Sequence, residues 1–107
     1  MTIYEQLIDL LKNRKEEIVT TAELKIELKK KYGARASSVL LYDYCYNRIN
    51  NGIRFDKHIF EFLGGGEYKY LGPDYPYTGR ISHKPQHQKI KEVGEWINGV
   101  KYLYPTE

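Results

Sequence analysis

Ser37-Ser38-Val39-Leu40-Leu41-Tyr42-Asp43-Tyr44-Cys45-Tyr46-Asn47-Arg48-Ile49-Asn50-Asn51-Gly52 is the stretch on which the fold turns. At ~100° per residue, Leu41, Tyr42, Cys45 and Ile49 fall on one side of a helix. Asp43, Asn47 and Asn50 fall on the opposite side, with Tyr44 and Tyr46 at the flanks. The spacing predicts a third helix, opened by Ser37 or Ser38 and ended near Gly52. Its outward face is made of amides, a carboxylate and phenols, where an ordinary surface helix is rich in Lys and Glu. Asn is a poor helix former, so its recurrence at 47, 50 and 51 needs a capping or a contact reason.

Upstream, residues 2–14 read as a first helix. Ile3, Leu7, Leu10 and Leu11 share a face, Thr2 is the N-cap, and Glu5 completes a capping box. Ile18-Val19 is a short apolar stretch of extended character. Thr20-Thr21-Ala22-Glu23 is a second capping-box pattern. The helix it opens stripes Leu24 and Leu28 and turns Lys25, Lys29 and Lys30 away, and Gly33 supplies the stop. Downstream, Ile59–Leu63 and Glu67–Leu71 are β-rich runs around Gly64-Gly65-Gly66, a strong hairpin signal. Residues 73–79 are turn-rich, and Arg80 to Lys84 reads as a short strand. Ile90, Val93, Ile97 and Val100 have helical spacing that Gly94 interrupts. Asn98-Gly99 favours a hairpin there instead.

The 107 residues suffice for one small domain, with 41% hydrophobic and 29% charged side chains. One cysteine excludes an internal disulfide framework and fits a reducing cytoplasm. No apolar run reaches the roughly 18 residues of a membrane span, and no signal-peptide pattern opens the chain. The net charge is +3, unevenly placed. Residues 25–57 hold eight basic and three acidic side chains, a balance of +5, whereas residues 1–24 hold three basic and five acidic ones. Eleven tyrosines stand against one Trp and three Phe, an excess suited to half-wet surfaces and interfaces.

Helix, extended segment, helix, turn, helix, hairpin is the order of a winged helix-turn-helix. The sequence therefore predicts an α+β chain. Residues 1–72 would form the winged helix-turn-helix (three helices plus a wing hairpin). Residues 73–107 would form a C-terminal β-hairpin extension packed on the same domain. Trp96, Ile97, Val100 and Leu103 are too apolar to leave solvated, so the extension is expected to fold back and bury Trp96, and deleting residues 80–107 to destabilise the whole.

Several segments carry a resemblance. They are Ser37-Ser38-Val39, Asp43-Tyr44-Cys45-Tyr46-Asn47-Arg48, Asn51-Gly52-Ile53 and Phe55-Asp56-Lys57, then Phe60-Glu61-Phe62-Leu63-Gly64, Tyr68-Lys69-Tyr70-Leu71-Gly72 and Tyr75-Pro76-Tyr77-Thr78-Gly79. From about residue 2 to about residue 99 the chain resembles a family of small, mostly uncharacterised bacterial domains that occur alone or beside restriction-type nucleases. The resemblance implies a winged-helix-like fold and an association with DNA processing or defence, without a known catalytic activity. Leu41 and Tyr42 stand where that pattern has a proline and a small polar residue.

In such a fold the third helix enters a major groove while neighbouring cations meet phosphates. Lys29, Lys30, Lys31, Arg35 and Lys57 are the candidate phosphate contacts. Tyr46, Asn47 and Asn50 are the candidates to approach the groove. The bland alternative is a solvated helix end with Asn50 and Asn51 as a C-cap. Cys45 among Leu41 and Ile49 reads as a small buried hydrophobe. His83 and His87 have metal-chelating spacing, but Pro85 lies between them and one cysteine cannot complete a set. Gly64-Gly65-Gly66 lacks the ending of a P-loop, and no nucleophile motif occurs.

These readings predict a non-enzymatic module that binds double-stranded DNA, with no catalytic residue, metal or cofactor. The alternative is a protein-binding winged helix, such as a phage or mobile-element protein occupying a nuclease or defence complex. Tyr68, Tyr70, Tyr75 and Tyr77 are its interface candidates. No membrane partner is expected, and a homodimer is left open.

Overall fold

Two Thr-x-x-Glu boxes set where the helices begin in the computed structural model, which describes residues 1–49, 57–83 and 89–105. Thr2 caps helix α1 (Ile3–Leu11): its hydroxyl accepts from the Glu5 N–H, and its own N–H donates to the Glu5 carboxylate at 2.8 Å. Thr20 and Glu23 repeat the arrangement at helix α2 (Thr21–Tyr32). Gly33, at φ 70°, ends α2 and donates to the Lys29 carbonyl. That left-handed position is open to glycine without a steric cost.

Strand β1 (Ile18–Thr20) delivers the chain from one helix to the next. The remaining strands are β2 (Arg48–Ile49), β3 (Phe60–Gly64), β4 (Glu67–Tyr70), β5 (Gly79–His83), β6 (Lys91–Ile97) and β7 (Val100–Leu103). They form two sheets. The first is antiparallel, in the order β1-β4-β3, and its hairpin turns through the glycines at 64, 65 and 66. The second has the order β2-β5-β6-β7, with β2 parallel to β5 and the other pairs antiparallel. The β6–β7 turn is Asn98-Gly99, both at positive φ, as a type I′ hairpin turn requires.

The third helix does not form, and this overturns the winged helix-turn-helix. Within residues 37–49 only short 3-10 turns occur, at Ala36–Ser38 and Leu41–Tyr44, followed by extended chain. The reason is competition for backbone groups. A helix would satisfy the carbonyls of Tyr44 to Asn47 with N–H groups four residues on. Here tertiary donors take them: Ile59 N–H bonds the Tyr44 carbonyl, His58 Nδ1 that of Cys45, Trp96 Nε1 that of Tyr46, and Ser82 N–H that of Asn47. Tyr and Asn are also weak helix formers, so little local preference opposes the exchange. The architecture is thus a mixed α+β fold with two helices and two sheets among the described residues.

Residues 44–47 run alongside β3, with Cys45 bridged in parallel to Phe60. The main chain then leaves to make β2. At that point the Asn47 side chain replaces it: Oδ1 accepts from Phe62 N–H at 2.8 Å and Nδ2 donates to the Phe62 carbonyl at 2.9 Å. Asn47 therefore serves the first sheet with its amide and the second with its backbone carbonyl. Its recurrence in the sequence has, at this position, a structural reason.

Two cores result. Leu7, Leu11, Leu24, Leu28, Cys45 and Phe60 anchor the first, between the helices and the first sheet. Tyr46, Leu71, Tyr77, Ile81 and Trp96 make the second, under the second sheet. Strand β2 comes from the first 72 residues yet lies in the second sheet, so the two stretches interlock. Trp96 is buried at 9% exposure. Ile97, Val100 and Leu103 are about half exposed, although the sequence reads them as too apolar to leave solvated. Strand alternation explains Ile97 and Val100: Trp96 faces the core, so Ile97 faces out, together with its cross-strand partner Val100.

Candidate functional site

Tyr46 is the keystone of the seam between the two cores, with 3% of its surface exposed. Its N–H donates to the Phe60 carbonyl and its carbonyl accepts from Trp96 Nε1, both at 2.8 Å. Its hydroxyl donates to the Gly72 carbonyl at 2.7 Å and accepts from Tyr75 N–H at 3.1 Å. Its ring stacks on Tyr77 and meets the edge of Trp96, each with centroids 5.2 Å apart. His58 packs beside them, 5.4 Å from Tyr46 and 5.2 Å from Trp96. The Cys45 carbonyl can only accept, so the His58 Nδ1 that lies 2.9 Å from it carries the proton.

Above this seam lies a cleft of about 350 Å³. Tyr4 reaches it from α1, and Tyr46, His58 and Trp96 form its aromatic lining. The turn Pro73-Asp74-Tyr75-Pro76 and the tip Asn98-Gly99 complete the wall. Asp74 holds φ 56°, a left-handed conformation that Asp and Asn adopt more readily than other side chains. Burial, and then the Asp74 carboxylate, push the Tyr4 phenol above its ordinary pKa. Burial also raises that of Tyr46, with Asp74 adding to it and the Tyr75 N–H acting the other way. The lining contains one carboxylate and no Lys or Arg, while the Lys57 and Lys101 ammoniums lie over the Tyr4 and Trp96 rings.

Other predicted residues sit elsewhere. Lys29, Lys30, Lys31 and Arg35 are exposed at and beyond the end of α2. Lys31 lies 3.3 Å from Asp9. The hydrogen bond with Asp9 raises the Lys31 pKa, and Asp9 is itself lowered, first by the Tyr32 hydroxyl and then by Lys31. Lys57 is exposed, its Nζ 5.3 Å from the centroid of the Tyr4 ring. Tyr46 and Asn47 turn into the seam rather than outward, because their polar groups bind the chain itself. Asn50 and His87 lie outside the described residues.

Of the tyrosines read as interface candidates, Tyr68, Tyr70 and Tyr77 are core residues. Tyr75 is half-buried and donates to Glu16 at 3.1 Å. Burial pushes Tyr68 up to about 12. Burial also raises the Cys45 thiol, whose Sγ lies 3.4 Å from the Leu41 carbonyl, and so disfavours a thiolate there. Among the described residues no group of three or more His, Cys, Asp and Glu side chains can hold a metal ion. No helix among them is long and apolar enough to cross a membrane.

Sequence reasoning missed Tyr4, Asp74 and Trp96 as neighbours. Its one usable signal was an acidic residue in a turn between two prolines and beside Tyr75. It also missed the outer face of the β6–β7 hairpin, where Ile97, Val100 and Tyr102 are exposed. Of the twelve exposed large hydrophobic residues among those described, Ile90, Ile97, Val100, Tyr102, Leu103 and Tyr104 lie within residues 90–104.

This interlocked α+β chain belongs to a family described as a domain of unknown function, DUF7225, whose model matches residues 2–103. It is similar to the uncharacterized protein YnaC of Bacillus subtilis strain 168, with 52% identity over 104 residues, covering 96% of this chain. The match spans 40% of the length of that curated relative. No solved structure matches the chain.

Proposed function

We propose that the domain is a non-enzymatic recognition module whose partner is a protein, docked as an extended apolar segment along strand β7. The observation that carries this reading is the gathering of half the exposed large hydrophobic residues into residues 90–104. Strand β7 ends the sheet order, so one row of its N–H and C=O groups has no strand partner among the described residues. An extended segment can add there as a further strand, with its side chains meeting Val100 and Tyr102. Edge strands are usually guarded by charge or proline. Here the strand's one charge is Lys101, whose ammonium lies 5.8 Å from the centroid of the Trp96 ring. A partner among proteins of DNA processing or defence is what the sequence resemblance implies.

Double-stranded DNA is the second reading, favoured by the four exposed cations Lys29, Lys30, Lys31 and Arg35. One experiment separates the two. Wild type and Val100→Glu/Tyr102→Glu are compared by affinity capture from nuclease-treated extract of the source cell, then by direct binding to the purified captured protein. The expected result is one protein that binds wild type at high salt and is lost by the variant, with unchanged circular dichroism. Salt-sensitive binding to mixed duplexes that Lys29→Gln/Lys30→Gln weakens and the hairpin variant retains would overturn the protein reading. Sedimentation of the purified domain tests a second copy of the chain as the occupant.

A further inference from the structure

We infer that, while no target segment is docked, strand β7 is covered by β7 of a second copy of this chain, antiparallel about a two-fold axis at Tyr102. The inference rests on the reading of β7 as the docking edge, and it names what occupies that edge first. An exposed strand edge pairs with whatever strand meets it. In a solution of the purified domain, the strand met most often is its own copy.

The sequence of β7 selects one register. Tyr104 N–H donates to the Val93 carbonyl at 2.8 Å. By antiparallel alternation the backbone groups of Val100 and Tyr102 also turn toward β6, and those of Lys101 and Leu103 turn away from it. A two-fold axis normal to the sheet keeps the outer face of each copy outward, so residues two apart in alternation oppose one another. An axis at Lys101 would set that residue against its own copy, a like-charge pair. An axis at Leu103 would set Lys101 against Pro105, which has no N–H to give. An axis at Val100 would run Tyr102 into Asn98 of the hairpin turn. With the axis at Tyr102, the backbone groups of Lys101 exchange hydrogen bonds with those of Leu103 in the second copy. On the outer face Tyr102 then meets Tyr102, and Val100 meets Tyr104, all exposed in the single chain. Each Lys101 ammonium stays over its own Trp96 ring, 5.8 Å from the centroid, and so is drawn back from the other. A pairing this short buries less than the roughly 1,200 Å² of a standard interface. The dimer is therefore weak, with a dissociation constant on the order of 100 μM, and a better-matched target segment can displace it.

This register places the two Tyr102 residues in a non-hydrogen-bonded pair with Cα atoms about 4.5 Å apart, within the span of a disulfide. The two Val100 residues would lie roughly 14 Å apart. The two positions are equally exposed, at 51% and 52%, so Val100→Cys controls for random collision. The native Cys45 is buried and does not compete. Sedimentation velocity of the wild-type chain is followed up to about 1 mM. Tyr102→Cys and Val100→Cys are then oxidised at equal concentration, with folding checked by circular dichroism. The expected result is a monomer–dimer equilibrium in the wild type, and disulfide dimers of Tyr102→Cys forming at least about tenfold faster than those of Val100→Cys. A wild type that stays monomeric overturns the inference whether or not the variants fold, and so do equal cross-linking rates or a faster Val100→Cys. The two readings of the edge separate. A monomeric chain that still captures a target protein overturns the second copy alone. A chain that dimerises and cross-links at Tyr102, yet captures no protein, keeps the second copy and removes the external target.

Discussion

Replacing Asn47 by alanine removes a side chain that stands in for a strand. Its amide makes two hydrogen bonds to one residue, from Phe62 N–H at 2.8 Å and to the Phe62 carbonyl at 2.9 Å. Both are part-buried, and each such bond contributes on the order of 1 kcal/mol net. Alanine leaves both Phe62 backbone groups unpaired on the side of β3 away from β4. The expected loss is about 2 kcal/mol, which for a domain of this size lowers Tm by roughly 8–15 °C. Two measurements check it: a thermal melt, and hydrogen exchange at the Phe62 amide, which should be protected in the wild type and exchange faster in Asn47→Ala. A melt within about 2 °C of wild type, with the Phe62 amide still protected, would refute the account of Asn47 as an edge clamp. A residue whose main work is to read a base would behave differently, with stability unchanged and sequence preference altered.

Alkaline pH should unfold the domain before its tyrosines titrate normally. An unfolded tyrosine ionises near 10.0, whereas burial holds Tyr68 at about 12 in the fold. The raised folded pKa means that its contribution is complete below pH 10 and is lost as pH climbs toward 12. Tyr46, Tyr70 and Tyr77 are raised in the same direction, so melts should show a falling Tm across that window, with a cooperative phenolate absorbance step. Independent, gradual titration centred near pH 10 would contradict the burial. Gly94→Ala should open the β6–β7 hairpin, because a Cβ there would stand 2.5 Å from the Tyr102 carbonyl oxygen. A loss of about 1–3 kcal/mol is expected, read by denaturant melts together with the shift of Trp96 emission. An unchanged midpoint would show that the strands can separate locally at no cost.

Local chemistry fixed the beginnings of both helices, and the sequence alone revealed it. Thr2 with Glu5 and Thr20 with Glu23 are bonds between residues three apart, so no distant contact is needed to predict them. The two hairpins were legible for the same reason, since Gly64–Gly66 and Asn98-Gly99 supply the positive φ angles that tight reversals require. Residues 37–49 were not legible, because their apolar spacing suits a helix while their carbonyls find better donors in Ile59, His58, Ser82 and Trp96. Those donors lie roughly 13 to 50 residues away, beyond the reach of any periodicity argument. The cleft is of the same kind: Tyr4, Asp74 and Trp96 share a wall only because the second sheet closes over the seam at Tyr46. The sequence by itself determined where the chain turns and which faces are apolar. Tertiary structure decided which backbone groups pair across the seam, and so turned a predicted recognition helix into the strut that joins two sheets.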